Sequence, residues 1–244
     1  MKNLKVWMMV LLCLVILNVE AQEYHVTPIA GGGNAEGILA NTTSLNTPRA
    51  ITFNSKGDVY IADFNNHRVR RINVSTGLIH TIPGDGRKAS LGDNGLALQA
   101  SLNHPTGLAI DNQGNTYVSE GNRICKIDIN TGIIRPVAGQ ITPGYEGDGQ
   151  LASDAQFSNP KGLAIDTNNN LYICDYYNRR IRKIDAATGF ITTIAGGGSV
   201  ILDDPILATD ASIERPIDIA LDKEGNIYIT SGQLKFTSIG KLIN

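Results

Sequence analysis

The sequence predicts an all-β fold: a β-propeller of four-stranded antiparallel blades, about four blade units in all, set as a closed ring or an open arc. Two observations predict it. Pro48, Pro105, Pro160 and Pro216 recur at intervals of 57, 55 and 56 residues, and a tyrosine follows each by 12 positions, at Tyr60, Tyr117, Tyr172 and Tyr228. Between these markers lie short apolar or alternating stretches separated by Gly- and Asn-bearing turns, which is the pattern of strands in a repeat architecture.

In chain order, residues 1–21 read as a signal peptide. Lys2 and Lys5 precede an apolar run from Val6 to Leu17 that is too short to span a bilayer, and Val19 and Ala21 supply the small residues a signal peptidase reads. The expected product is residues 22–244, secreted to the periplasm or the extracellular space and without stable membrane insertion after cleavage. Blade units are expected near 48–84, 105–139, 160–196 and 216–244. The stretch "HVTPIAG" at 25–31 aligns with "IIRPVAG" at 133–139. It reads as an outer strand with no partners before it, able to complete the last blade from the opposite terminus.

Within each unit the first strand, as in "GLAI" at 107–110, alternates larger apolar residues with alanine and carries no charged face, so it reads as an inner strand buried on both sides. Gly57, Gly114 and Gly225 stand nine residues after their prolines, where a tight hairpin needs positive φ; Asn169 takes that place in the third unit. The second strand is "VYIAD" (59–63), "TYVSE" (116–120), "LYICD" (171–175) or "IYITS" (227–231), rich in aromatic and β-branched residues. The third, "RVRRI" (68–72), "RICKI" (123–127) or "RIRKI" (180–184), alternates apolar and basic residues, which predicts one face in solvent. It ends at the Thr-Gly turns of Gly77, Gly132 and Gly189. The fourth strand carries Pro136, which fits only a sheet edge.

Composition excludes some function classes. A formal net charge of −2 with no basic run gives no electrostatic footprint for nucleic acid or an anionic membrane. Only Cys125 and Cys174 follow the leader, so no disulfide framework is expected and packing must supply the stability.

The residues also carry a family resemblance. Asp63-x-x-Asn66-x-Arg68, its echo Asp175-x-x-Asn178-x-Arg180, the Asp-x-x-Gly-Asn-x-Tyr hairpins, the Thr-Gly-x-Ile-x-Thr-Ile-Ala-Gly tails and linkers such as "GDGQLASDAQFSNP" (147–160) resemble the NHL-repeat β-propellers. The long-linker form is similar to repeats of bacterial secreted proteins and of teneurin ectodomains. The resemblance implies the fold directly. It implies less about activity, because that family includes protein-binding and RNA-binding scaffolds as well as lyases.

Repetition separates scaffold from site, since a residue type present in every blade serves the fold. Asp63, Asn66, Arg68, Asp175, Asn178 and Arg180 are therefore expected to fix the turn between second and third strands. Binding is expected where blades differ, on loops of the face that carries those turns together with the long connectors 32–47, 85–104, 140–159 and 197–215. The unshared residues there are Phe64, Arg87, Lys88, Tyr145, Glu146, Tyr176 and Tyr177, types that suit protein or glycan contact. His25, His67, His80 and His104 show no metal-ligand spacing, and the Gly-Asp loops lack the alternating oxygens of a calcium loop, so no metal and no cofactor is expected. The reading is a secreted, non-catalytic propeller that binds a protein or carbohydrate. Its alternatives are a propeller lyase or lactonase-like hydrolase with a metal in the central channel, or a fragment of a larger propeller protein.

Overall fold

The computed structural model describes residues 36–200, 207–231 and 236–239. The signal peptide and the strand expected at 25–31 lie outside these residues. A two-residue strand, β1 (Ile38–Leu39), leads into a first sheet of β2 (Pro48–Phe53), β3 (Val59–Asp63), β4 (Arg68–Ile72) and β5 (Leu78–Thr81), in the order β1-β5-β4-β3-β2. The second sheet is β6 (Gly107–Ile110), β7 (Thr116–Glu120), β8 (Arg123–Ile127) and β9 (Ile134–Gly139). The third is β10 (Pro160–Ile165), β11 (Leu171–Asp175), β12 (Arg180–Ile184) and β13 (Ile191–Gly196). The fourth holds β14 (Pro216–Leu221), β15 (Ile227–Ser231) and β16 (Phe236–Ile239). All pairings of these strands are antiparallel, and Pro136 sits in β9, the edge strand of its sheet.

The hairpins show why these sequences turn where they do. Gly57, Gly114 and Gly225 have φ of 83°, 92° and 86°, and Asn169 follows at 65°. In the second sheet Asp111 accepts the Gln113 and Asn115 N–H groups and the Asn115 amide, closing an Asx turn before the strands pair. Tyr172 and Tyr228 donate their hydroxyls to the equivalent Asp166 and Asp222 at 3.1 and 3.0 Å, which ties these two marker tyrosines to their own hairpins.

Sheets meet face to face. Tyr60, Ala62 and Val69 of the first pack on Leu108, Val118 and Cys125 of the second; Ala109 and Ile124 meet Leu163 and Ile173; Cys174 and Ile181 meet Ile219 and Ile229. The inner strands approach closely, and a Cβ at Gly107 would collide with the Lys161 carbonyl. The end faces differ. Leu108, Leu163 and Ile219 are 5%, 6% and 6% exposed, whereas Ile51, at the same place in β2, is 56% exposed and Phe53 is 60% exposed. Tyr228 is likewise 42% exposed where Tyr60 is 2%. The described residues thus leave apolar surface uncovered on the first and the fourth sheet, and the expectation of an inner strand buried on both sides fails in β2 because no sheet precedes it among them.

Two further expectations need correction. The third strand does not turn all its basic residues to solvent: Arg71, Lys126 and Lys183 are partly exposed, but Arg70 and Arg182 are wholly buried. Arg182 is satisfied by Asp148 at 2.7 Å and by the Gln156 and Glu146 carbonyls, and lies 3.9 Å from Asp175; Arg70 pairs with Glu36 at 3.3 Å. A guanidinium tolerates burial only when its donors and charge are met in this way. In the second sheet Cys125 occupies the equivalent place, and the cation moves to Arg123, which holds Glu120 and Asp93.

The connectors meet the turns on the loop face only at their ends; between those ends they run down the outer edge of the sheet they lead into. β1 pairs with β5, Leu96 bridges to Ile133 and Leu151 to Phe190. Each then makes a 3-10 turn, 40–42, 97–99 or 152–154, and returns. Ala97 shows what holds this path: its N–H donates to Gly132 of the second sheet and its carbonyl accepts from Gly84 at the end of the first. Small side chains fit the seam, and Thr43, Ala100, Ala155 and Ala211 are all buried.

Candidate functional site

The chain that opens each inner strand and the turn between second and third strands form one ledge. The carboxylate ending the second strand holds the two together. Asp63 accepts the Asn46 N–H at 2.7 Å, Glu120 that of Asn103 at 2.9 Å, and Asp175 that of Ser158 at 2.9 Å, in each case two residues before the blade-opening proline. The next residue, Thr47, His104, Asn159 or Arg215, has φ of 54°, 54°, 53° or 35°. That left-handed conformation is disfavoured for residues with a Cβ and runs against the extended backbone a following proline demands, so four repeats of it mark backbone held by its surroundings. The turns are equally constrained, with His67 at φ 54° and Arg179 at 55°.

Contacts across the ledge alternate between a blade's own turn and its neighbour's. Arg49 lies 5.0 Å from the Phe64 ring centre, and the Lys161 ammonium 3.3 Å from that of Tyr176, each within its own blade. In the second blade the same two places hold Thr106 and Gly121, so cation and ring are absent together. Between blades, His104 stacks on Phe64 with ring centres 4.5 Å apart and meets His67 edge-on at 4.5 Å, the Asn159 N–H donates to Asn122, and Arg215 lies 5.9 Å from Tyr177 beside the Arg179–Glu214 pair.

The electrostatics follow from this crowding. Burial first, and then the charge of Lys88, hold His67 below its ordinary pKa; His104 is lowered by burial, by His67 and by Lys88. The His104 N–H donates to His67 Nδ1 at 3.3 Å, which assigns the proton of neutral His67 to Nε2. Burial also lowers Lys161; Tyr176 opposes that shift, while Arg49 and Arg215 add to it.

The expected binding residues divide. Phe64 stands on the ledge against His104 and Arg49, Tyr176 and Tyr177 stand there against each other, and Lys88 lies near the histidines. Arg87 is tied to Asp85, Tyr145 lies 5.1 Å from Arg180, and Glu146 is exposed nearby with its carbonyl accepting Gln156 and Arg182. Asn66 and Asn178 bond Asp63 and Asp175 at 2.8 Å within the turns. Arg68 instead donates to the Asp85 carbonyl, and Arg180 packs on Tyr145. Sequence reasoning missed Arg49, Lys161 and Arg215 as candidate site residues, and set His67 and His104 aside; for all but His67 the readable signal was a position directly beside a blade-opening proline. Among the described residues no group of three or more His, Cys, Asp or Glu could hold a metal, and no helix is long and apolar enough to cross a membrane.

Comparison with known proteins agrees with this fold. The family described as Teneurin NHL domain matches residues 80–144 and 139–209, and the NHL repeat matches residues 45–72. The chain is 32% identical over 165 residues to the chloroplastic protein Suppressor of Quenching 1 of Arabidopsis thaliana, covering 64% of this chain and 16% of that one. It is 25% identical over 231 residues to Teneurin-1 of Mus musculus, covering 84% of this chain and 8% of the relative, so it spans a small part of the length of both. A crystal structure of a protein of unknown function from Bacteroides thetaiotaomicron VPI-5482 superposes with a TM-score of 0.61 at 25% identity, over 79% of this chain and 46% of that chain.

Proposed function

Because the chain belongs to the NHL-repeat β-propeller family, we propose that it is a secreted, non-catalytic scaffold that presents its turn-bearing ledge to a protein or glycan. The observation that carries this reading is the ledge itself. Aromatic rings and cations are gathered on backbone that four left-handed residues and three carboxylate clamps hold in place, and preorganised aromatic-rich surfaces bind with little entropic cost. Export follows from residues 1–21, which have the charge and apolar pattern of a cleaved leader.

The test uses the full chain expressed with its own N-terminus and recovered after export. N-terminal sequencing should begin at Gln22, and glycan-array and protein-interaction screens should yield a ligand whose binding falls with Phe64→Ala, Tyr176→Ala or Tyr177→Ala. Retention of the leader, or a ligand indifferent to all three changes, would overturn the respective part of the reading.

A further inference from the structure

Arg49 and Lys161 directly follow the prolines that open β2 and β10, and Arg215 directly precedes the one that opens β14. None of the three has a carboxylate partner among the described residues. Other described cations do have one: Arg71 pairs with Asp58, Arg87 with Asp85, Arg123 with Asp93 and Glu120, Lys126 with Asp111, and Arg182 with Asp148. The nearby acids are engaged elsewhere. Glu214 faces Arg179 at 3.5 Å, and Asp218 accepts the Ile219 N–H beside Gly162.

Contacts between rings link two of these blades: Lys161 lies 3.3 Å from the Tyr176 ring centre, Tyr176 meets Tyr177 with ring centres 4.9 Å apart, and Arg215 lies 5.9 Å from the Tyr177 ring centre. Arg49 and Arg215 both add to the positive field at Lys161. Folding gains nothing from assembling like charges around the inner strands; an anion bound among them removes the repulsion. Two further features describe that anion. Tyr177 is 56% exposed beside Arg215, offering an apolar ring next to a cation. The Asn159 side-chain amide on the same ledge offers the donor and acceptor type that suits hydroxyl groups, whereas those of Asn65 and Asn122 already bond Asn46, Thr47, Ile141 and the Asn159 N–H.

We infer that the ledge binds an acidic saccharide, with Arg49, Lys161 and Arg215 receiving the carboxylates of uronate residues and Tyr177 meeting the C–H face of a sugar ring. The inference rests on the reading of this face as the binding face, and narrows it to one ligand class. Arginine and lysine supply charge-assisted hydrogen bonds to carboxylates, and an exposed tyrosine supplies contact area at small entropic cost.

The test is calorimetric titration of the exported full chain with an oligogalacturonate, with the same oligomer after methyl esterification, and with a poly-glutamate peptide. The acidic oligomer should bind and the esterified one should bind at least about tenfold more weakly; the triple change Arg49→Ala, Lys161→Ala and Arg215→Ala should cost at least about tenfold. Affinity for the acid should also fall as NaCl rises from about 0.05 to about 0.5 M. The melting temperature should stay within a few degrees in the triple variant, because none of the three cations satisfies a buried acid. Equal binding of acid and ester, binding unchanged in the triple variant, or tighter binding of poly-glutamate overturns the inference. If the oligogalacturonate fails while another glycan or a protein binds and is lost in Tyr177→Ala, the acidic-saccharide inference falls and the binding-face reading stands. If no ligand is sensitive to Phe64, Tyr176 or Tyr177, both fall.

Discussion

The Asn178 amide donates to Asp175 Oδ2 at 2.8 Å and also reaches the Gly144 carbonyl at 2.6 Å, so one side chain ties the β11–β12 turn to the connector before β10. Asn178→Ala removes both bonds and leaves a buried carboxylate short of a donor. The expected cost is about 1–3 kcal/mol, and the melting temperature should fall by roughly 2–10 °C. Asn130→Ala, at an exposed turn, should cost less than about 0.5 kcal/mol. Equal melting curves for the two variants would show that the turn is not fixed by this contact.

Burial raises Asp175 from 3.8 to about 6, against the donors Asn178 and Ser158 and the charge of Arg182, which all lower it. The folded state therefore holds this proton more tightly than the unfolded one. The stability the group contributes is complete below about pH 4 and is lost as pH rises to about 6. Asp175→Asn abolishes the titration, so the melting temperature of the variant minus that of the wild type should become more positive from pH 4 to pH 6 and level off above. A difference that stays constant across that range would refute the buried, raised carboxyl.

Ala155 is wholly buried where the connector passes between sheets, and its Cα and Cβ lie against Gly147. Ala155→Leu should overpack the seam and cost about 1–3 kcal/mol. Ala187→Leu, on an exposed turn, should be close to neutral. Denaturant unfolding of both variants checks the prediction, and comparable midpoints would mean the seam is looser than the structure shows.

Cys125 and Cys174 are free and buried, and burial pushes both thiols up, away from the reactive thiolate. An exchange reagent such as Ellman's should label neither in the native protein within minutes and both in denaturant. Prompt labelling of the native chain would contradict their place in the seams.

The strands were legible because each depends on local chemistry: a positive-φ residue at Asn169, a hairpin aspartate at Asp166, a β-former at Tyr172. The connectors were not, since β1 is specified by its bonds to β5, and nothing in "GNAEGILA" announces a strand partner forty residues away. Arg182 misled for a similar reason. An alternating Arg-Ile-Arg reads as a wet face unless the burying partner, Asp148 from a distant loop, is known. The ledge was half legible. Phe64, Tyr176 and Tyr177 stood out as unshared aromatics, whereas Arg49, Lys161 and Arg215 meet those rings only through the packing of the turns against the starts of the inner strands.

The connector at Ala97 touches the sheet behind it through Gly84 and the sheet ahead through Gly132. Among the described residues the apolar clusters between sheets likewise join successive sheets, so each packing joint recognises an adjacent unit. Duplicating or deleting one period of about 56 residues would leave each remaining packing joint chemically intact, while changing which cations of the ledge face one another.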